Sequence, residues 1–316
     1  MNIKNRQMKQ IVLIAIIACL GFSAKAQQDA MFTHYMYNTL AVNPAYAGSR
    51  DALTFTGLHR SQWVGFEGAP ITQTVTMHTP ILTKNIGIGL SVINDKIGPT
   101  NTTALYFDFS YKLKLGKKAN LAFGLKGGMN LRSNGLSDLT LDDNADMSFI
   151  SDTRSDILPN FGFGMYYYTD KFYAGISVPK LLENDFATNS TSGSVSLGSE
   201  ERHYYLIAGT VFNLSESIKL KPTTFLKVTN GAPIEADITG TLIFSDRFWT
   251  GAMFRTGDAV GILAGLNITD QLALGYSFDW SYRNKTVQYN AGSHELMLRY
   301  DLIFKGEEKI RSPRYF

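Results

Sequence analysis

The chain has 316 residues, of which 44% are hydrophobic, 12% aromatic and 18% charged, with a formal net charge of +3 and a single cysteine. Four cations, Lys4, Arg6, Lys9 and Lys25, sit in the first 26 residues, which hold no acid; without them 26 basic residues face 27 acidic ones, a net −1. The basic excess therefore belongs to targeting, which excludes nucleic acid as an expected partner, and with Cys19 in the same stretch the rest of the chain has neither disulfides nor a cysteine metal site.

That first stretch has three parts: basic residues, a nearly unbroken apolar run from Ile11 to Phe22, and the small-x-small sequence Ala24-Lys25-Ala26. This pattern predicts a signal peptide over residues 1–26, cleaved after Ala26, because the run is too short and wrongly flanked for a spanning helix. The rival is a lipoprotein, with Ile16-Ile17-Ala18 ahead of Cys19, which would leave Leu20-Gly21-Phe22 at the mature terminus.

Residues 27–51 are expected to form a plug segment. In "AMFTHYMYNTL", Met31, Phe32, Tyr35, Met36, Thr39 and Leu40 recur at helical spacing, which predicts a short amphipathic helix. Pro44 disfavours helix at Asn43 and should end it there, and Gly48-Ser49 marks a second turn. The helix and the Asn43-Pro44 turn are expected in the periplasmic mouth of whatever body follows; a solvated tail is the alternative.

From residue 52 to 304 the periodicity is two. Ile71, Val75 and Met77 oppose Thr72, Thr74, Thr76 and His78. Leu105, Phe107, Phe109, Tyr111, Leu113 and Leu115 oppose Tyr106, Asp108, Ser110, Lys112 and Lys114. Charged residues inside convincing strands require a wet second face, and glycines repeatedly take that face, as expected around a narrow interior. With mean hydropathy near zero and no long apolar run after the leader, the prediction is an all-β fold. It is a transmembrane antiparallel β-barrel of about 14 strands in the outer membrane, with lipid as its surroundings. "LGKKAN", "NLSES", "FSDRF" and "NITDQ" read as tight periplasmic turns, and Ser133 to Asn160 and Glu183 to Arg202 as extracellular loops. Tyr166 to Tyr168, Tyr204, Tyr205, Phe248 and Trp249 read as interfacial aromatics. In "HRSQW", Arg60 and Gln62 are expected inside, bonded to Glu67 or Asp108, with Trp63 at the lipid interface.

Past the last strand, "HELMLRYDLIF", the tail of residues 305–316 ends in Arg311-Ser312-Pro313-Arg314-Tyr315-Phe316. Pro313 cannot join a ladder, so Arg311, Arg314, Tyr315 and Phe316 are candidate partner-binding residues on the periplasmic side. Catalytic chemistry is not expected: there is no nucleophile elbow, and the histidines lack zinc spacing. Asp142, Asn144 and Asp146 have calcium-loop spacing, but Met147 and Thr153 stand where such a loop needs Gly and Glu. No cofactor or metal is expected.

The blocks "NPAYAGS", "HRSQWVGFEGAPITQ", "NDKIGPTN", "NFGFGMYYYTDKFYAGISVPKLL" and "RSPRYF" together resemble the PorP/SprF family, outer-membrane proteins of the type IX secretion system of gliding Bacteroidetes. The resemblance runs in order over nearly the whole mature chain, with Asn43, Pro44, Gly48, Arg60, Gln62, Trp63, Gly68 and Pro70 as its signature positions. It implies a non-enzymatic protein that supports export of surface adhesins and holds their C-terminal sorting domain. The implied partners are that domain, and the periplasmic ring lipoprotein of the machinery with its partner protein. A channel for hydrophobic or small solutes, of the fatty-acid-porin kind, is the alternative function.

Overall fold

The computed structural model describes residues 29–81, 85–135, 153–190, 193–283 and 288–303; the side chains of residues 153–155 and 185–198 are outside that description. The predicted leader, the calcium-like spacing and the terminal tail all lie outside the described residues.

Strands begin where the alternating pattern begins. The first half of the wall holds β1 (Leu53–Ser61), β2 (Ile71–Ile81), β3 (Ile86–Ile97), β4 (Thr100–Leu115), β5 (Ala119–Asn134), β6 (Thr153–Tyr168) and β7 (Phe172–Val178). A separate hairpin follows, β8 (Asp185–Ser190) with β9 (Gly193–Ser199), and then β10 (His203–Thr210) and its short extension β11 (Phe212–Asn213). The second half is β12 (Ile218–Thr229), β13 (Glu235–Phe244), β14 (Phe248–Arg255), β15 (Ala259–Asn267), β16 (Leu272–Ser281) and β17 (Ser293–Leu302).

Every wall strand pairs antiparallel with the next one along the chain, β10 joins β7 to β12, and β1 pairs with β17. The result is a closed 14-strand barrel with no free edge, as backbone groups in hydrocarbon require. The 116–118, 169–171, 214–217, 245–247 and 268–271 turns share one end with the start of β1 and the end of β17. The 62–70, 179–202 and 282–292 connections occupy the other. In outer-membrane barrels the short-turn end faces the periplasm and the long loops face outward, which puts the start of β1 and the end of β17 on the periplasmic side.

Side-chain distribution is inverted relative to a protein in water. Phe107, Leu125 and Ile262 are 64%, 60% and 64% exposed on the outside, while Asp108, Lys126 and Glu295 are buried within. Lipid removes the penalty for the first set, and the lumen supplies partners for the second.

Three sequence expectations change. β5 runs to Asn134 and β6 starts at Thr153, so the loop between them is shorter than Ser133 to Asn160. The stretch read as one loop from Glu183 carries the β8–β9 hairpin. Of the aromatics read as interfacial, Tyr166, Tyr168, Tyr205 and Trp249 are buried in the lumen; only their strand neighbours Tyr167, Tyr204 and Phe248 face outward. Period two alone cannot say which member of an aromatic pair points in.

Candidate functional site

The lumen is occupied. Residues 31–50 are buried without exception, although they belong to no strand, and they touch most of the wall. The predicted helix is short: only Thr39–Val42 is helical, followed by a 3-10 turn at Pro44–Tyr46. An amphipathic helix needs a wet face, and this segment has none. Upstream of Thr39 its backbone groups are met instead by wall side chains and local turns. The amides of Thr33 and His34 donate to Glu295 at 2.9 and 2.7 Å, and the amides of Tyr37 and Asn38 donate to the carbonyl oxygen of His34.

The contacts descend in order from the loop end to the turn end. Asp29 meets Lys180 beyond the outer end of β7 at 2.6 Å. Thr33 and His34 meet Asp279 and Glu295 in the outer halves of β16 and β17. Thr76 donates to Asn38, and Lys126 to the carbonyl oxygen of Leu40. Ser110 donates to the carbonyl oxygen of Ala47, the Gly48 amide donates to His78, and Arg50 forms a two-pronged pair with Asp301 near the turn end. The plug therefore spans the lumen instead of capping the periplasmic mouth, and the chain then reverses into β1.

Close packing surrounds Asn43-Pro44-Ala45. The Asn43 side chain accepts from the Ala45 amide at 3.0 Å and donates to the carbonyl oxygens of Met165 and Ile176 at 3.0 and 3.4 Å. A Cβ at Gly124 would overlap the Pro44 and Ala45 backbone, one at Gly164 the Asn43 side chain, and one at Gly87 the Ala47 carbonyl. These inward glycines are seats for the plug rather than aids to curvature. Gly48, at φ +65, turns the chain where Pro80 and Gly87 close in.

Opposite charges meet at several points inside the lumen. Arg60 Nη1 lies 2.7 Å from Asp279 and 3.3 Å from Glu295, and donates to Thr33 Oγ1 at 2.9 Å. Its expected partners are elsewhere: Glu67 is exposed on the loop, and Asp108 pairs with Lys126 at 3.0 Å. Arg255 binds Asp237 through two nitrogens at 2.8 and 3.0 Å and also reaches the carbonyl oxygen of Phe32. Arg60 and Glu295, Asp108 and Lys126, and Asp237 and Arg255 are direct cross-strand partners, the placement in which opposite charges support a sheet. Lys221 and Arg299 both lie over the Tyr37 ring, at 4.4 and 5.6 Å.

Above the plug an outer vestibule of about 450 Å³ opens toward the loops, with Met31, Phe32, Trp63, Asp95, Lys180 and Glu200 in its lining. Trp63 therefore corrects the lipid-interface expectation. β1 ends at Ser61, and Trp63 turns at φ 49 with its amide donating to Ser293 Oγ. Gln62 and Pro70 line the same space and are joined by the Gln62 amide and the Pro70 carbonyl at 2.9 Å. Gly68, at φ +72, accepts from the Gly98 amide at 2.9 Å, tying that loop to the β3–β4 turn. Glu200 accepts from the side-chain amides of Asn130, Asn160 and Asn184.

Burial would raise the Asp29 carboxyl, but the Lys180 and His203 charges and the bonds from Lys180 and Tyr205 outweigh it and hold it at about 2. A depressed acid stabilises above its ordinary value of 3.8 and loses that contribution as pH falls through about 2. The Asp29 latch is thus expected to stay closed from neutral pH down to about 4, as checked by protease access to the N-terminal segment against pH.

No metal-binding cluster of His, Cys, Asp or Glu occurs among the described residues. Comparison with known proteins places the architecture. The family described as "Type IX secretion system membrane protein PorP/SprF" matches residues 24–300. Similar solved structures include the CymD monoaromatic hydrocarbon channel, at 10% identity and TM-score 0.50 over 84% of this chain and 92% of that one. Another is Omp33 of Acinetobacter baumannii, at 11% identity and TM-score 0.46 over 81% of this chain and all of that one. At such identity the CymD likeness shows an outer-membrane barrel fold and nothing about what passes through it. No curated protein matches the chain in sequence.

Proposed function

Since the chain belongs to the PorP/SprF family of type IX secretion system membrane proteins, we propose that it works without catalysis, supporting export of a surface adhesin and retaining it by holding its C-terminal sorting domain at the loop end. The observation that carries this reading is the continuous burial of residues 31–50 inside the barrel. A lumen crossed from one end to the other by its own chain suits a wall-bound anchor better than a conduit. The vestibule and the loops around it offer the outward surface such a client would meet, and loops on a rigid scaffold are the usual bearers of binding.

The competing reading, a channel for hydrophobic solutes, draws on the apolar part of the vestibule. Any solute leaving it inward would have to displace Arg50 from Asp301 and the Asn43–Ala47 turn from its glycine seats.

At the periplasmic face, the tail with Arg311, Arg314, Tyr315 and Phe316 is proposed to dock the machinery's ring, its arginines pairing with carboxylates and its aromatics filling an apolar pocket. Replacing residues 136–152 or 183–198 with short Gly-Ser linkers is expected to leave the barrel inserted and release the adhesin into the medium. Truncation after Gly306 is expected to leave the barrel inserted but separate it from the ring on purification. Normal surface retention in both loop variants would count against an outer docking face.

A further inference from the structure

The direction of the plug constrains what precedes it. Asp29 sits at the outer end of the lumen, held by Lys180 at 2.6 Å, by the Tyr205 hydroxyl at 3.2 Å, and 3.6 Å from His203 Nδ1. Lys180 and His203 flank the β7–β10 connection on the loop side. Arg50, at the other end of the same segment, is fixed beside Asp301 near the end of β17. The chain thus enters the lumen from outside and leaves it toward the periplasm. This is the reverse of what a leader anchored at the inner membrane would impose.

Tether length decides what can coexist. Between Phe22, the end of the apolar run, and Asp29 there are seven Cα steps, a reach of about 25 Å when fully extended. To return to the periplasm, a leader attached to a seated plug would have to climb over the rim and descend outside the barrel. The apolar band alone is about 25 Å tall, so the tether is spent before it regains the inner face. Lipid on Cys19 fares no better: ten steps, about 35 Å, would deliver an acyl chain to the outer leaflet, opposite the side on which leaders are processed.

We infer that the seated plug and an attached leader are mutually exclusive: leader removal licenses filling of the lumen, and the new N-terminus is displayed at the cell surface in the vestibule. The ion pair at Asp29 is then the last contact made by the plug, closing behind a free terminus. This holds whether the loop end receives an adhesin or not.

The test places an eight-residue epitope between Gln28 and Asp29, with the same epitope after Phe316 as a control for the inner face. Antibody staining of the first site on intact cells, and of the second only after the outer membrane is permeabilised, is the expected result. Staining of both sites only after permeabilisation would overturn the inference. Should the insertion keep the protein out of the membrane, the paired substitution Asp29→Cys and Lys180→Cys supplies a second readout. A cross-link between the two by a bis-maleimide long enough to span the Lys180 side chain, seen as a mobility shift in membrane-inserted protein, supports outer seating, and its absence overturns it. In a third arm, Ala24→Leu with Ala26→Leu blocks cleavage, and residues 31–50 are expected to become sensitive to protease in the inserted barrel. Full protease resistance with the leader retained would contradict mutual exclusion.

Discussion

Arg60→Ala is expected to destabilise the barrel by about 3–5 kcal/mol, the usual loss when one partner of a buried ion pair is removed. Asp279 and Glu295 are 1% and 0% exposed, and Arg60 is the charged partner they share. Without it Glu295 keeps His34 and two plug amides, and Asp279 keeps only the Thr33 hydroxyl among the bonds described. Two carboxylates would then face each other across a site with little water. Because Thr33 bonds both Arg60 and Asp279, the plug should loosen along with the wall. Heat-modifiability on gels and thermal unfolding in detergent measure the loss. Adding Asp279→Asn to Arg60→Ala should recover part of it, because one stranded charge is removed. A single variant as stable as the parent would show that the cluster is held by something other than this guanidinium.

Gly124→Leu is expected to expel the plug. The conflict begins at Cβ, against the Pro44 and Ala45 backbone, so no rotamer relieves it, and overpacking costs reach about 3 kcal/mol. Gly127 lies on the same strand with open space where a side chain would stand, so Gly127→Leu is the matched control and should be neutral. Limited proteolysis separates them: the Gly124 variant should lose its N-terminal segment from an otherwise intact inserted barrel, and the Gly127 variant should not. Equal resistance would mean that the Asn43–Ala47 turn is not seated against Gly124.

The barrel itself is legible in the sequence. Thr72, Thr74, Thr76 and Asp108 against Ile71, Val75 and Phe107 tell which face is wet, because a strand keeps strict alternation. The closing pair β1–β17 follows from the need to leave no free edge. What a sequence cannot supply is anything that depends on two distant segments meeting. Arg60 reads as an inward cation, but its partners at Asp279 and Glu295 lie more than two hundred residues away and are chosen by strand register. Trp63 is misplaced when alternation is extended past Ser61, where the backbone turns. The helical spacing of Met31 to Leu40 misleads for a related reason: apolar residues on all sides of an enclosed segment match a helical pattern without requiring a helix.

The signature positions gain their meaning from the contacts. "NPAYAGS" docks on "NFGFGMYYY" and "YAGIS" through Asn43, Gly164 and Gly175. "GFEGAP" touches "NDKIGPTN" through Gly68 and Gly98. Blocks far apart in the chain are thus two sides of single contacts between plug, loop and wall. A one-sequence reading sees each side separately, so the glycines pass for curvature.

Ion conductance of the purified protein in a planar bilayer reads out whether the N-terminal segment closes the lumen. With Asn43–Ala47 seated on the wall and Arg50 paired at the inner end, the intact chain is expected to be electrically silent. A variant lacking residues 29–50 should insert, remain heat-modifiable and open steady conductance through the emptied lumen. Steady porin-like conductance from the intact chain, unchanged by that deletion, would contradict a barrel closed by its own N-terminal segment.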